Sequence, residues 1–118
     1  MNTNASYLLE SMATVCPKSA GYGFVLAIFS NNHNPPHFHV LLNSPGKTLC
    51  SYVITDRAPQ SIKDLVLMKG DSDVLSSVLK KNIVEWANTT KKFKLFESTG
   101  WEVAKLFWEN ENETSDFP

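Results

Sequence analysis

The spacing of apolar residues divides the chain into a strand-rich part and a helical part. Four runs in the first part are short, rich in aromatic and β-branched residues, and bounded by turn-forming Asn, Ser, Pro and Gly. They predict strands over residues 22–30, 37–42, 47–55 and 62–68. The turn signal at residues 43–46 indicates that the second and third strands form a hairpin.

Beyond Asp71 the period of the apolar residues changes from two to about 3.6, which is typical of an amphipathic helix. Asp71 or Ser72 is the predicted N-cap of this helix, and its end should fray over residues 88–92. The apolar stripe that should face the sheet consists of Leu75, Val78, Leu79, Ile83, Trp86 and Ala87.

A second helix is predicted to begin near Thr99, because Thr99 and Glu102 have the spacing of a capping box. Gly100 should weaken the first turn slightly, since glycine has a low helix propensity. The side chains expected to point inward are Val103, Leu106 and Phe107.

Strands followed by helices predict an α+β fold, with a small, mainly antiparallel sheet of three to four strands and two C-terminal helices on one face. The 118 residues suffice for one domain. We expect this domain to span residues 21–110, after a loosely attached N-terminal segment over residues 1–20 that forms one short turn before Pro17. Residues 111–118 should form a frayed acidic tail.

Composition and charge narrow the classes of partner. With 42% hydrophobic and 19% charged residues, the chain can bury a core, which excludes disorder over its whole length. Eleven basic and twelve acidic residues give a net charge of −1, so there is no global electrostatic footprint for duplex DNA or an anionic membrane. The longest apolar run, residues 24–29, is far shorter than the roughly 20 residues of a membrane-spanning helix.

The N-terminal sequence lacks a basic region followed by an apolar stretch, so we expect a cytoplasmic protein without a secretory signal. A reducing compartment favours free thiols, and the two cysteines, Cys16 and Cys50, are therefore expected to be packed and unpaired. Short edges of the sheet and apolar helix surfaces make a homodimer one expected assembly.

All three histidines of the chain lie within seven residues, at positions 33, 37 and 39. If residues 37–42 form a strand, its two-residue period places His37 and His39 on one face, about 7 Å apart at Cα. Phe38 and Val40 then lie on the other face, which is expected to be the core side. Both imidazole rings should therefore reach one ligand.

Pro35 and Pro36 restrict the backbone before the strand, so His33 and Asn34 should lie in a stiff, extended loop. Imidazolium groups and loop amides together favour anions, which makes His33, Asn34, His37 and His39 a candidate site for a phosphate-bearing ligand such as a nucleotide.

Three converging neutral imidazoles also suit a divalent metal such as zinc, with His33, His37 and His39 as ligands. Cys50 is a candidate fourth ligand, although a buried thiol that packs as a small apolar group is the simpler interpretation. A third alternative is structural, in which the histidines only hydrogen-bond backbone carbonyls and hold a tight connection.

A basic strip with interleaved aromatic residues favours RNA or an acidic partner, or else it is a solvated helix end. It consists of Lys80, Lys81, Lys91, Lys92 and Lys94, with Phe93 and Phe96.

The motif H-x-P-P-H-F-H, residues 33–39, resembles the signature of the DUF4160-like family of small bacterial proteins, a domain of unknown function. The resemblance extends more loosely over residues 22–110. It implies an accessory or defence-module protein, similar to components of toxin–antitoxin or mobile-element gene pairs, with a protein partner from a neighbouring gene. This chain has Asn32 where the family often has an acidic residue, and an amide is a poorer metal ligand than a carboxylate.

These observations lead to three functional hypotheses. The first is a cytosolic bacterial accessory protein whose histidine cluster binds a phosphate-bearing or other anionic ligand. The second is a metal-dependent hydrolase or ribonuclease that uses the same histidines. The third is a protein-interaction module in which the His/Pro motif is structural.

Overall fold

The computed structural model describes residues 12–30, 35–44, 46–93, 95–112 and 116–118. The strands are β1 Met12–Cys16, β2 Val25–Phe29, β3 His37–Leu41, β4 Thr48–Val53, β5 Leu67–Lys69, β6 Thr90–Phe93 and β7 Phe96–Thr99. The helices are α1 Ser77–Asn88 and α2 Gly100–Asn112.

In the described part of the chain, β1 to β5 form an antiparallel sheet in sequence order, and β6 and β7 form a separate hairpin. The α+β prediction is confirmed, with one more strand in the main sheet than expected and a second small sheet between the helices. Each strand of the main sheet therefore pairs with the next one along the chain, in the antiparallel sense.

Both faces of the sheet carry apolar side chains at its centre. On the first face, Phe38 and Val40 of β3 belong to one cluster with the buried residues of both helices. On the second face, a smaller cluster consists of Val25, Ala27 and Leu41. Burial on both sides explains why β2 is apolar at every position rather than alternating.

The N-terminal part of the described chain differs from the expectation of a loose segment. Residues 12–16 form β1, which pairs with β2 so that Met12 lies opposite Phe29 and Thr14 opposite Ala27. The register shifts between Thr14 and Cys16. A short edge strand with an irregular register has no clean alternation, so its pattern alone did not indicate a strand. The turn expected before residue 12 lies outside the described residues.

The fourth predicted strand is shorter than expected. Its first residues form a 3-10 turn, Ile62–Asp64, with a capping box between Ser61 and Asp64. Only Leu67–Lys69 pairs with β4. The capping hydrogen bonds stabilise the turn, and they compete locally with extension of the strand.

Two predicted features of the first helix are also corrected. Asp71 caps a 3-10 turn, Ser72–Val74, and α1 itself begins after Ser76, whose hydroxyl accepts a hydrogen bond from the Leu79 N–H. The expected frayed end over residues 88–92 instead leads into β6, because β7 supplies a pairing partner that local sequence does not reveal.

The predicted capping box of α2 is confirmed. The Glu102 N–H donates to Thr99 Oγ1 at 3.2 Å, and Thr99 N–H donates to Glu102 Oε1 at 2.9 Å. Packing explains why glycine occupies position 100 despite its low helix propensity. A Cβ there would lie 2.6 Å from Trp86 Nε1 and would also collide with the Trp86 carbonyl. This glycine allows α2 to begin directly against the Trp86 ring.

The described parts of the predicted frayed tail are attached: residues 111–112 complete α2, and residues 116–118 contact the rest of the chain. The Asp56 N–H donates to the Pro118 carbonyl at 2.7 Å, and the Lys105 ammonium lies 4.9 Å from the centre of the Phe117 ring. Among the described residues, neither helix is long and apolar enough to cross a membrane.

Candidate functional site

A row of directly paired residues crosses the second face of the main sheet. From β1 to β5 it consists of Thr14, Ala27, His39, Ser51 and Lys69, each the registered partner of the next. Directly opposite residues on antiparallel strands project to the same face, about 5 Å apart. The sheet register therefore places an imidazole, a hydroxyl and an ammonium group side by side.

The polar end of this row opens into a pocket of about 370 Å³. Its chemistry comes from the Thr48 and Ser51 hydroxyls, the Lys69 ammonium and the His39 ring. The complete lining is His39, Thr48, Leu49, Cys50, Ser51, Lys69 and Gly70. This combination of hydrogen-bond donors with a single lysine suits a small ligand that carries negative charge.

His39 forms one side of the pocket. Its Nδ1 lies 3.3 Å from Thr48 Oγ1, and its ring meets Phe29 edge-on with 4.5 Å between centroids. Burial, followed by the nearby His37 and Lys69 charges, lowers the pKa of His39 to about 4. The ring is therefore neutral near pH 7, and Lys69 is the positively charged member of this lining.

His37 lies behind His39 and away from the pocket. Its ring centroid is 5.0 Å from that of His39 and 5.2 Å from that of Trp108, and only 4% of the residue is exposed. Its Nδ1 lies 2.8 Å from the Pro35 carbonyl, which can only accept, so this nitrogen carries the proton. Burial lowers the pKa of His37, and hydrogen bonding to Pro35 partly opposes that shift.

The prediction that the His37 and His39 rings lie side by side, with Phe38 and Val40 in the core, is confirmed. Both rings were expected to reach one ligand, but His37 is buried, because α2 brings Trp108 against its ring. His33 and Asn34 lie outside the described residues, and their part in a ligand site stays a prediction.

The expected metal site is incomplete in the part of the chain that the structure describes. No group of three His, Cys, Asp or Glu residues there is arranged to hold a metal ion, so zinc binding by His33, His37 and His39 depends on the undescribed His33. Cys50 is not a ligand beside them, because it pairs with Val40 and belongs to the helix-side core. Burial raises the pKa of its thiol.

Sequence reasoning missed Thr48, Ser51 and Lys69. The sequence did contain a signal for Ser51. The predicted hairpin pairs the strand of His39 with the strand of Ser51, and the register of that pairing puts the two residues opposite each other. Lys69 carried no such signal, since a long connection that includes a 3-10 turn separates β4 from β5. Its pairing with Ser51 is set by the folded sheet.

The basic strip is divided in the structure. Lys80 and Lys81 lie on α1, whereas Lys91 and Lys92 lie on β6, and Lys94 is outside the described residues. The Lys91 ammonium lies 5.6 Å from the centre of the Tyr22 ring. RNA binding, a protein partner and a homodimer stay predictions.

Comparisons of the chain with protein-family models, curated proteins and solved structures found no match. The resemblance of residues 33–39 to the DUF4160-like family therefore stays a prediction. The functional assignment has to come from the geometry of the pocket and from the chemistry of the groups that line it.

Proposed function

We propose that the protein binds a small phosphate-bearing or other anionic ligand in the pocket formed by His39, Thr48, Ser51 and Lys69. The observation that carries this proposal is the cross-strand register, in which His39 pairs with Ser51 and Ser51 pairs with Lys69. Three strands thus contribute chemically different donors to one concave surface.

The donor set matches the needs of an oxyanion. Lys69 supplies a full positive charge, and the Ser51 hydroxyl supplies a neutral donor. Thr48 Oγ1 and His39 Nδ1 are hydrogen-bonded to each other, so this pair offers one further donor: the His39 Nε2–H when Thr48 donates to Nδ1, or the Thr48 O–H when Nδ1 donates to Thr48. This arrangement differs from the mechanism expected from the sequence, in which imidazolium groups provided the charge.

His37 supports the site as a positioning residue. Its ring packs between His39 and Trp108, and its Nδ1–H is directed to the Pro35 carbonyl. The Pro36 carbonyl in turn accepts a hydrogen bond from the Ile54 N–H at 2.8 Å. The double proline therefore anchors the start of β3 to the chain beyond β4 and limits movement of the His37 ring.

The resemblance of the His/Pro motif to the DUF4160-like family supports placing this binding activity in an accessory protein of a toxin–antitoxin-like module. A second candidate is the metal-dependent hydrolase. Two neutral imidazoles with centroids 5.0 Å apart favour it, as does the His37 Nδ1–H bond to a backbone carbonyl, which is how metal-binding histidines are commonly oriented.

The test is calorimetric titration of the full chain with inorganic phosphate, AMP and the uncharged control adenosine. We expect phosphate and AMP to bind near pH 7. Lys69→Gln should weaken both by about tenfold or more, since a charge-assisted hydrogen bond contributes on the order of 1.5 to 3 kcal/mol. Lys63→Gln is the matched control, because Lys63 is exposed and does not line the pocket.

Equal binding by wild type and Lys69→Gln would exclude the proposed pocket, as would no binding of either phosphate compound in the millimolar range. Elemental analysis separates the second candidate. Stoichiometric zinc in the wild type that is lost in His39→Ala, together with turnover of RNA, would replace anion binding with metal-dependent hydrolysis.

A further inference from the structure

A second cavity lies along β1, where this strand, the small hairpin and both helices meet. Its volume is about 240 Å³, and it shares no lining residue with the pocket around His39. Its walls include Tyr22, Trp86, Val103 and Phe107, with Lys91, Lys92 and Ser98 from the hairpin. A site here is therefore independent of the proposed anion pocket.

The apolar wall is preformed by the core. The Trp86 ring packs against Phe38 and Trp101, with centroids 5.8 and 6.2 Å away, and Gly100 leaves no room for it to shift toward α2. Aromatic walls that are already fixed bind a flat apolar ligand without a large ordering cost.

The charge on this cavity comes from the hairpin. The Lys91 ammonium lies 5.6 Å from the centre of the Tyr22 ring, and both residues line the cavity. No described carboxylate forms an ion pair with Lys91. The second lysine of the lining, Lys92, instead has Glu97 as its registered partner on β7, so Lys91 is the lysine without an acidic residue directly opposite. Ser98, the registered partner of Lys91, adds a hydroxyl at the same rim.

We propose that this cavity binds a small aromatic carboxylate, with its ring between Trp86 and Phe107 and its carboxylate at Lys91. A dry apolar cavity of about 150 Å³ holds benzene. The larger volume here accommodates a ring with a short acidic side chain. An aromatic wall beside an unneutralised lysine favours such an acid over both a neutral arene and an aliphatic amine.

The experiment compares 3-phenylpropionate with 3-phenylpropanamide, which have the same ring and chain but differ in charge. Binding to the full-length protein is followed by calorimetry and by the indole N–H resonances in two-dimensional NMR spectra. We expect the acid to bind at least tenfold more tightly than the amide and to shift the Trp86 indole signal.

Two variants localise the site. Lys91→Gln should remove the preference for the acid and leave amide binding unchanged, whereas Val103→Phe should fill the cavity and weaken both compounds by tenfold or more. Lys81→Gln, a charge loss on the exposed surface of α1, is the control and should bind like wild type. Phosphate binding should be unchanged in Lys91→Gln.

Equal affinity of wild type for acid and amide would overturn the proposal, as would an acid preference that persists in Lys91→Gln. Failure of wild type to bind either compound in the millimolar range would also overturn it. Because Lys91 is exposed, its variant should keep the wild-type melting temperature, and a loss of acid binding then reports on the cavity rather than on unfolding.

Discussion

Two histidines on the same strand face have different physical environments. His37 starts β3 and is covered by Trp108, whereas His39 lies in the strand interior and opens toward the Thr48 hydroxyl. Both pKa values are lowered mainly by burial. The same residue type therefore has a packing role at one position and a place in a ligand pocket at the other.

Because their environments differ, the two histidines should respond differently to replacement by alanine. His37→Ala should lower the free energy of unfolding by about 2 to 4 kcal/mol, because it leaves a cavity beside Trp108 and removes the hydrogen bond to Pro35. His39→Ala should be the less destabilising of the two, because His39 is more exposed than His37 and faces the pocket, and it should weaken phosphate binding.

Urea denaturation of both variants and wild type checks this pair of expectations. Equal destabilisation by the two substitutions would contradict the assignment of separate roles. It would instead favour the hypothesis that the whole His/Pro motif is structural.

At the scale of elements, the start of α2 shows how packing changes the effect of a helix residue. Propensity alone favours alanine over glycine in a helix by about 1 kcal/mol. A Cβ at position 100, however, would collide with the Trp86 carbonyl and indole ring. The tertiary contact outweighs the local preference because backbone and a packed ring cannot easily give way.

We therefore expect Gly100→Ala to destabilise the protein by about 1 to 3 kcal/mol, against its helix propensity. Asn110→Ala is the matched control, since Asn110 is exposed on the same helix and should be neutral or slightly stabilising. Thermal melts of the two variants decide the matter, and a stabilised Gly100→Ala protein would contradict the packing seen around Trp86.

Elements were predictable where periodicity was long or a cap was local. The Thr99–Glu102 box of α2 lies within one turn of chain, and so was visible in the sequence. The predicted apolar faces were only partly correct: Ile83, Trp86 and Ala87 are buried in α1, but Leu75 precedes the helix and Val78 is 66% exposed. In α2 the expected inward residue Leu106 is 52% exposed, and the buried residues are Trp101, Ala104 and Trp108. The strands β1, β6 and β7 were missed because each depends on a partner strand, and a strand of four or five residues has too short a pattern to identify.

At the scale of the whole molecule, the buried histidines make stability depend on pH. The pKa of His39 is lowered from 6.5 to about 4, so the unfolded chain takes up a proton at a pH where the folded protein does not. Protons therefore favour unfolding over this interval, and the free energy of unfolding should be largest above about pH 6.5 and fall toward pH 4. The lowered pKa of His37 acts in the same direction.

Melting temperatures measured from about pH 7 to pH 5 check this expectation. His39→Gln should have a flatter profile than wild type, because it removes one of the two groups responsible. The pKa of Glu102 is also lowered from its ordinary value of 4.5. Glu102 therefore changes the free energy of unfolding only at a more acidic pH than the histidines do. A melting temperature that rises on acidification would contradict the burial of these rings.

Local covalent geometry allowed the sequence by itself to determine the strand and helix periods, the common face of His37 and His39, and the cap of α2. The tertiary structure alone decided that Trp108 covers His37 and that Ser51 and Lys69 stand beside His39. The reason is that side-chain direction repeats within one element, whereas strand register and helix packing join residues far apart in the chain.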